Sequence, residues 1–111
     1  MTCDLFLAAC VSISGPGAIG YSPILEQVAE RRIANEWGLS ADWREYEVLV
    51  ATPNCKQLGK SGWLIAGGRV MTAKVVDCEA DVHAGQMAER GLLVDASRRW
   101  LNHKAGWLVL R

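Results

Sequence analysis

The sequence has no excess of either charge. Of its 111 residues, twelve are Lys or Arg and twelve are Asp or Glu, and no run of like charge stands out. Proteins that bind nucleic acid or anionic membranes usually show a basic patch or tract. We therefore expect no nucleic-acid partner and a neutral ligand.

The sequence also lacks an apolar run long enough to cross a membrane. Gly15-Pro-Gly17 and Gly20 break the main apolar stretch near the N-terminus. It ends well short of the roughly 20 residues that a transmembrane helix needs. No stable membrane span is expected.

Residues 1–20 have two interpretations. Leu7-Ala-Ala-Cys10 is similar to the end of a bacterial lipoprotein signal, in which the cysteine becomes lipidated, and such a remnant predicts an exported protein. However, no Lys or Arg precedes the apolar run, and Asp4 lies beside it. A first strand of the domain accounts for the same residues. The remaining residues, 21–111, are enough for one apolar core and predict a single domain.

Phe and Tyr are scarce, whereas Trp is abundant. One Phe and two Tyr stand beside five Trp residues. Buried Trp residues pack in the core and at its rim, and an exposed Trp can stack on a sugar or another flat ligand. Both roles are open for each Trp in this chain.

An N-terminal helix is predicted at about 23–37. Ser22 suits the N-cap position, and Pro23 suits the first turn, where its missing N–H costs nothing. Apolar residues then recur at spacings of three to five residues, which gives one buried face. These residues are Leu25, Val28, Ala29, Ile33 and Trp37.

The rest of the chain predicts mainly β structure with short helices. Glu45 to Ala51 alternates polar and apolar residues, as a strand with one buried side does. Gly67-Gly68 predicts a hairpin between two apolar strands, 63–65 and 70–76. Two more strands are expected at 91–94 and 107–110, with a short helix between them.

Two predicted strands end on aspartates, Asp77 and Asp95. If these strand ends are neighbours in the fold, two carboxylates meet at one rim. Each aspartate also has a structural interpretation. Asp95 can cap the helix that follows it, because Asp is favoured at that position, and Asp77 can anchor a loop.

Cysteine and histidine leave further alternatives. Cys55 and Cys78 lie at or beside strand ends, and a disulfide between them requires an oxidising compartment. Cys55, Cys78, His83 and His103 lack the closely paired spacing of a zinc site. Neither a metal site nor a cofactor is expected.

The order of elements from Glu47 to Arg111 resembles the double-psi β-barrels of rare lipoprotein A, barwin and the expansins. Those proteins place a strand ending Val-x-Asp before a Gly-rich loop, then an Ile-Asp-Leu-Ser stretch, a short helix and a last strand. Val75-Val-Asp-Cys78 and Leu93-Val-Asp-Ala-Ser97 hold the corresponding places. The resemblance implies a six-stranded double-psi β-barrel, closest to small uncharacterised exported bacterial members.

The resemblance also implies a function. In the catalytic relatives, an aspartate matching Asp77 or Asp95 acts as a general acid that cleaves a glycosidic bond. A carboxylic acid in a partly desolvated groove can protonate a leaving sugar oxygen. The predicted protein therefore binds peptidoglycan or another polysaccharide, with Tyr21 and Trp63 as substrate contacts. Weak activity like that of a lytic transglycosylase or glycosidase would use Asp77 and Asp95, with Asp77 as the favoured acid.

A rival hypothesis uses the same barrel without chemistry. In it the protein is a structural or protein-interaction module, and a Cys55–Cys78 disulfide serves as a staple. The family's Asp-Arg-Gly-Pro-Phe loop is replaced here by Asp77-Cys-Glu-Ala-Asp81, which is a departure at the proposed acid.

Overall fold

The computed structural model describes residues 11–35, 41–78 and 91–111. Within these ranges six strands close into one barrel, in the order β1-β5-β2-β4-β3-β6. The mainly β class and the six-stranded barrel predicted from the sequence are confirmed. The strands are β1 (Ser12–Tyr21), β2 (Val48–Thr52), β3 (Ser61–Ala66), β4 (Arg69–Cys78), β5 (Leu92–Ala96) and β6 (Ala105–Leu110).

Strand β1 shows that the barrel begins before residue 21. It pairs in parallel with β5 along its second half and antiparallel with β6 along most of its length. A boundary at residue 20 would cut this strand, so residues 12–20 belong to the barrel. Residues 1–10, with Cys3, Cys10 and the segment compared with an export signal, lie outside the described residues.

The barrel mixes parallel and antiparallel pairs. β1 with β5 and β2 with β4 are parallel, and the other four neighbouring pairs are antiparallel. β3 and β4 form the predicted hairpin. Gly67 and Gly68 make its turn with φ values of 59° and 76°, which is the left-handed conformation that a two-residue turn of type I′ requires.

The barrel interior is a closed apolar core. Alternate residues of every strand point inward, as the two-residue period of a strand requires. The largest buried side chains include Leu64 of β3, Met71 of β4 and Leu108 of β6. Leu101, from the 3₁₀ helix Arg99–Leu101, is also fully buried in this core.

A second apolar cluster lies outside the barrel, beneath helix α1 (Leu25–Asn35). Leu25 and Ala29 pack there on Leu49, Ala51 and Val76, together with Trp43 from the 3₁₀ helix Ala41–Glu45. Buried Leu25, Val28 and Ala29 confirm the predicted buried face for the described side chains. The helix begins at Leu25, two residues later than predicted, and residues 36–40 lie outside the described ranges.

The helix predicted after β5 is a single 3₁₀ turn, and neither predicted cap residue caps it. Arg98 occupies the N-cap position and makes no side-chain cap hydrogen bond. Asp95 is still within β5, because Val94 and Ala96 on either side fill the barrel core. Ser97 Oγ instead accepts a hydrogen bond from the backbone N–H of Leu49, 2.9 Å away. The helix-cap interpretation of Asp95 was therefore wrong.

Candidate functional site

The two aspartates lie on either side of one β2 residue. Ala51 pairs with Asp77 of β4 on one side and with Asp95 of β5 on the other. Ala51 packs in the apolar cluster outside the barrel. Residues paired across strands share a face of the sheet, so both carboxylates also project to the outside. Two strand spacings separate their Cα atoms by about 10 Å. One strand stands between the two predicted acids.

Asp77 is tied to helix α1. Its Oδ1 accepts a hydrogen bond from Arg32 Nη2 at 2.5 Å and another from the backbone N–H of Cys78 at 2.9 Å. The two side chains of the ion pair are only 22% and 23% exposed. A guanidinium and a carboxylate form a charge-assisted hydrogen bond, which is stronger than one between neutral groups. This geometry suits an anchor between the helix and the end of β4.

Gly20 leaves room for the Asp95 carboxylate beside β1, because glycine has no Cβ atom. Gly20 of β1 pairs with Asp95, and a Cβ atom at Gly20 would collide with Asp95 Oδ1. The carboxylate therefore lies directly over the backbone of β1. Only glycine leaves this space, because every other residue carries a Cβ atom.

Asp95 opens into a pocket on the outside of the barrel. The pocket has a volume of about 400 Å³ and lies between β1, β5 and the loop before β6. Its lining includes one aromatic residue, Tyr21, and the neighbouring residues Asn102 and His103. The complete lining is Ala18, Ile19, Gly20, Tyr21, Leu92, Asp95, Asn102 and His103.

Backbone hydrogen bonds fix the loop that carries Asn102 and His103. The His103 N–H donates to the Ile19 carbonyl at 2.9 Å, and the Ile19 N–H donates to the Lys104 carbonyl at 2.8 Å. His103 has φ of 67°, a left-handed conformation that is uncommon outside glycine. Such conformations persist where the surroundings hold them, and they cluster at functional sites.

The two predicted aromatic contacts lie apart. Tyr21 lines the pocket, and the Arg99 guanidinium is 5.6 Å from its ring centroid. Trp63 is on β3, which β6 separates from β1. Its row continues through Val109 to Ile13, at the opposite end of β1 from Tyr21. The structure thus brings Tyr21 and Asp95 together and leaves Trp63 and Asp77 outside the pocket.

Sequence patterns did not indicate Asn102 and His103 as members of one site with Asp95. They follow a short helix, and their spacing matches no known motif. The pairing of β1 with both β5 and β6 brings these residues to Asp95. A non-glycine residue in a left-handed turn leaves little trace in a single sequence.

The predicted cysteine pair forms a disulfide. The sulfur atoms of Cys55 and Cys78 are 2.09 Å apart, and the Cα atoms are 4.9 Å apart. The bond ties the 3₁₀ helix Cys55–Gln57 to the end of β4, next to Asp77. Both thiols are consumed, so neither serves as a metal ligand or nucleophile in this state.

The described residues contain neither a metal-ligand cluster nor a membrane-spanning helix. No group of three or more His, Cys, Asp or Glu side chains there could hold a metal ion, and His83 lies outside those ranges. No helix in the described part of the chain has the length and apolar character to cross a membrane.

With this geometry established, the chain was compared with known proteins. It matches no protein-family model, no curated protein and no solved structure.

Proposed function

We propose that this protein is an exported polysaccharide-binding domain and that the Asp95 pocket is its binding site. The observation that carries the proposal is the lining of that pocket, in which Tyr21, Asp95, Asn102 and His103 converge. Pockets with a few convergent polar groups in an otherwise apolar lining are the usual form of small-ligand sites.

The lining matches the chemistry of a sugar. Sugar hydroxyls both donate and accept hydrogen bonds. Carboxylate oxygens such as those of Asp95 accept them, the amide of Asn102 does both, and the imidazole of His103 has two ring nitrogens for hydrogen bonds. The Tyr21 ring adds an apolar surface with a polar tip, which suits the C–H face of a pyranose.

A double-psi topology and export remain part of the proposal. The interleaved strand order, with two parallel pairs joined through antiparallel β5 and β2, supports the double-psi topology. The two aspartates expected at corresponding places of that fold flank the same residue of β2. The Cys55–Cys78 disulfide supports export, because such bonds persist in oxidising compartments.

If the protein also cleaves its ligand, Asp95 is the acid that we propose. Asp77 Oδ1 is occupied by Arg32, which favours a scheme with one acid over one with two carboxylates. Asp95 would donate its proton to the glycosidic oxygen as the C–O bond breaks. The same carboxylate would then accept the proton of the sugar hydroxyl that attacks the anomeric carbon, so the proton balance closes within one turnover.

Retention on insoluble peptidoglycan tests binding. The wild type should pellet with the polymer, and Tyr21→Ala should weaken retention about threefold to tenfold, since one aromatic contact is lost. Glu26→Gln is the control, because Glu26 is exposed on α1 and lies outside the pocket. If wild type fails to pellet with peptidoglycan, chitin or cellulose, the polysaccharide proposal is wrong. A specific protein partner found in that case would favour the interaction-module hypothesis.

Release of soluble fragments tests cleavage separately. Asp95→Asn should remove release while keeping retention, because the amide preserves shape and loses the acidic proton. Asp77→Asn should release soluble fragments at the wild-type rate when the rate is expressed per folded molecule. If the wild type is retained but releases nothing, the protein binds without cleaving. If Asp77→Asn alone removes release, the assignment of the acid to Asp95 is wrong.

A further inference from the structure

A second surface lies away from the pocket, on the outward side of four adjacent strands. It has two rows set by the strand register. Ile13, Val109 and Trp63 form one row, and Trp107, Ile65 and Val70 form the other. We call these six residues the tryptophan face. Their inward neighbours on β3, β4 and β6, such as Leu64, Met71 and Leu108, fill the barrel core.

The tryptophan face is apolar and open. Ile13 is 59% exposed and Val70 is 62% exposed, and Trp107 and Ile65 are 42% and 37% exposed. The Trp107 ring lies against the backbone of Gly15, where a Cβ atom would be 3.2 Å from ring atom Cε3. Contiguous exposed apolar residues of this kind mark interaction sites.

Basic residues predominate around this face in the described part of the chain. The strands that build it, β1, β3, β4 and β6, contain one acid, Asp77, which lies outside the face and pairs with Arg32. Exposed cations stand at both ends of the face. Arg111 and Lys60 lie at one end, where the Arg111 N–H donates to the Ser61 carbonyl. Arg69 and Lys104 lie at the other end. Of these cations, Arg69 also lies near an acid, since its Nη2 is 3.6 Å from Glu47 Oε2.

We infer that the tryptophan face docks on an anionic lipid surface. Trp residues favour the boundary between hydrocarbon and headgroups. The Arg111 guanidinium lies 4.6 Å from the Trp63 ring centroid, so a cation adjoins the apolar face where it could bind a lipid phosphate. Interfacial binding grows with buried apolar area and with attraction between basic side chains and anionic lipids. The face supplies both.

The size of the face argues against a second copy of the chain as its occupant. Four strands at about 4.8 Å spacing and two rows of side chains cover on the order of 300 Å². A stable protein interface buries about 800 Å² on each partner. Binding to a lipid surface does not require a buried area of that size, because the membrane supplies many weak contacts at a high local lipid concentration.

Co-sedimentation of the whole chain with lipid vesicles tests the inference. Vesicles made of equal parts phosphatidylcholine and phosphatidylglycerol should pellet the protein, and vesicles of phosphatidylcholine alone should pellet much less. Added salt should weaken the binding. Ile13→Ser and Val70→Ser should each lower the partition coefficient roughly fivefold, because each removes one exposed aliphatic side chain.

Matched controls lie on the helix side of the barrel. Ile24 is 49% exposed and outside the face, so Ile24→Ser should leave the partition unchanged. Arg111→Gln should lower binding about fivefold, whereas Arg31→Gln on α1 should not. Arg111→Gln leaves the apolar packing intact and keeps the test valid if a serine variant fails to fold.

Three results would overturn the inference. These are equal binding to neutral and anionic vesicles, equal loss in the face and control variants, and no binding to either vesicle. A dimer in sedimentation velocity that Val70→Ser dissociates would replace the lipid with a second copy. The site is separate from the Asp95 pocket, so failure here leaves polysaccharide binding untouched.

Discussion

Reduction of the Cys55–Cys78 disulfide should destabilise the barrel strongly. The bond joins residues 23 apart in the sequence. In the chain-entropy account, closing a loop of that length removes about 11 cal/mol/K from the unfolded chain, which is about 3.4 kcal/mol at 25 °C. Unfolding entropy for a chain of this size is about 230 cal/mol/K, so the loss corresponds to a fall in Tm of about 15 °C.

The assay is urea unfolding of the wild type with and without reductant, beside the Cys55→Ser/Cys78→Ser double variant. The reduced wild type and the double variant should share one lowered midpoint, since both lack the same constraint. With Cys3 and Cys10 replaced by Ser in every protein compared, the double variant should not respond to reductant. If reduced and oxidised wild type unfold at the same urea concentration, the loop constraint does not act on the unfolded chain and the reasoning fails.

Two further substitutions test the neighbourhood of the aspartates. Asp77→Asn should lower the free energy of unfolding by about 1–2 kcal/mol, because the charge-assisted hydrogen bond from Arg32 is lost; an unchanged urea midpoint would show that the ion pair does not hold α1 in place. Gly20→Ala should cost about 1–3 kcal/mol, since its Cβ collides with Asp95 Oδ1, and it should also weaken retention on peptidoglycan as the carboxylate turns away. Retention equal to wild type in a folded Gly20→Ala protein would contradict the placement of Asp95 in the binding site.

Much of the barrel could be predicted because its strands follow local rules. The hairpin at Gly67-Gly68 and the buried face of α1 were readable from turn chemistry and periodicity. Both depend on residues close together in sequence. The start of the barrel was harder to predict, since Gly15-Pro-Gly17 interrupts the pattern of β1 and resembles a linker more than a strand.

The roles of the two aspartates could not be predicted, because they depend on contacts distant in sequence. Asp77 meets a guanidinium 45 residues away, on a helix whose exposed charges look like ordinary solvated residues. Asp95 looked like a cap because a short helix follows it. The strand continues past Asp95 only because Val94 and Ala96 must both reach the core, and that requirement appears once the barrel closes.

The neutral net charge likewise gave no indication that basic residues are concentrated around the tryptophan face. Twelve acids cancel twelve bases over the chain, yet Lys60, Arg69, Lys104 and Arg111 all flank the tryptophan face. Strand β1 contributes to both sites. Ile13 of the tryptophan face lies near its start, and Tyr21 of the pocket lies at its end. Ile13 and Tyr21 are eight residues apart on this strand, roughly 26 Å when the strand is extended. A protein docked through Ile13 and Val70 would therefore keep the Asp95 pocket open to a second ligand, so that the barrel could hold a polysaccharide close to an anionic surface.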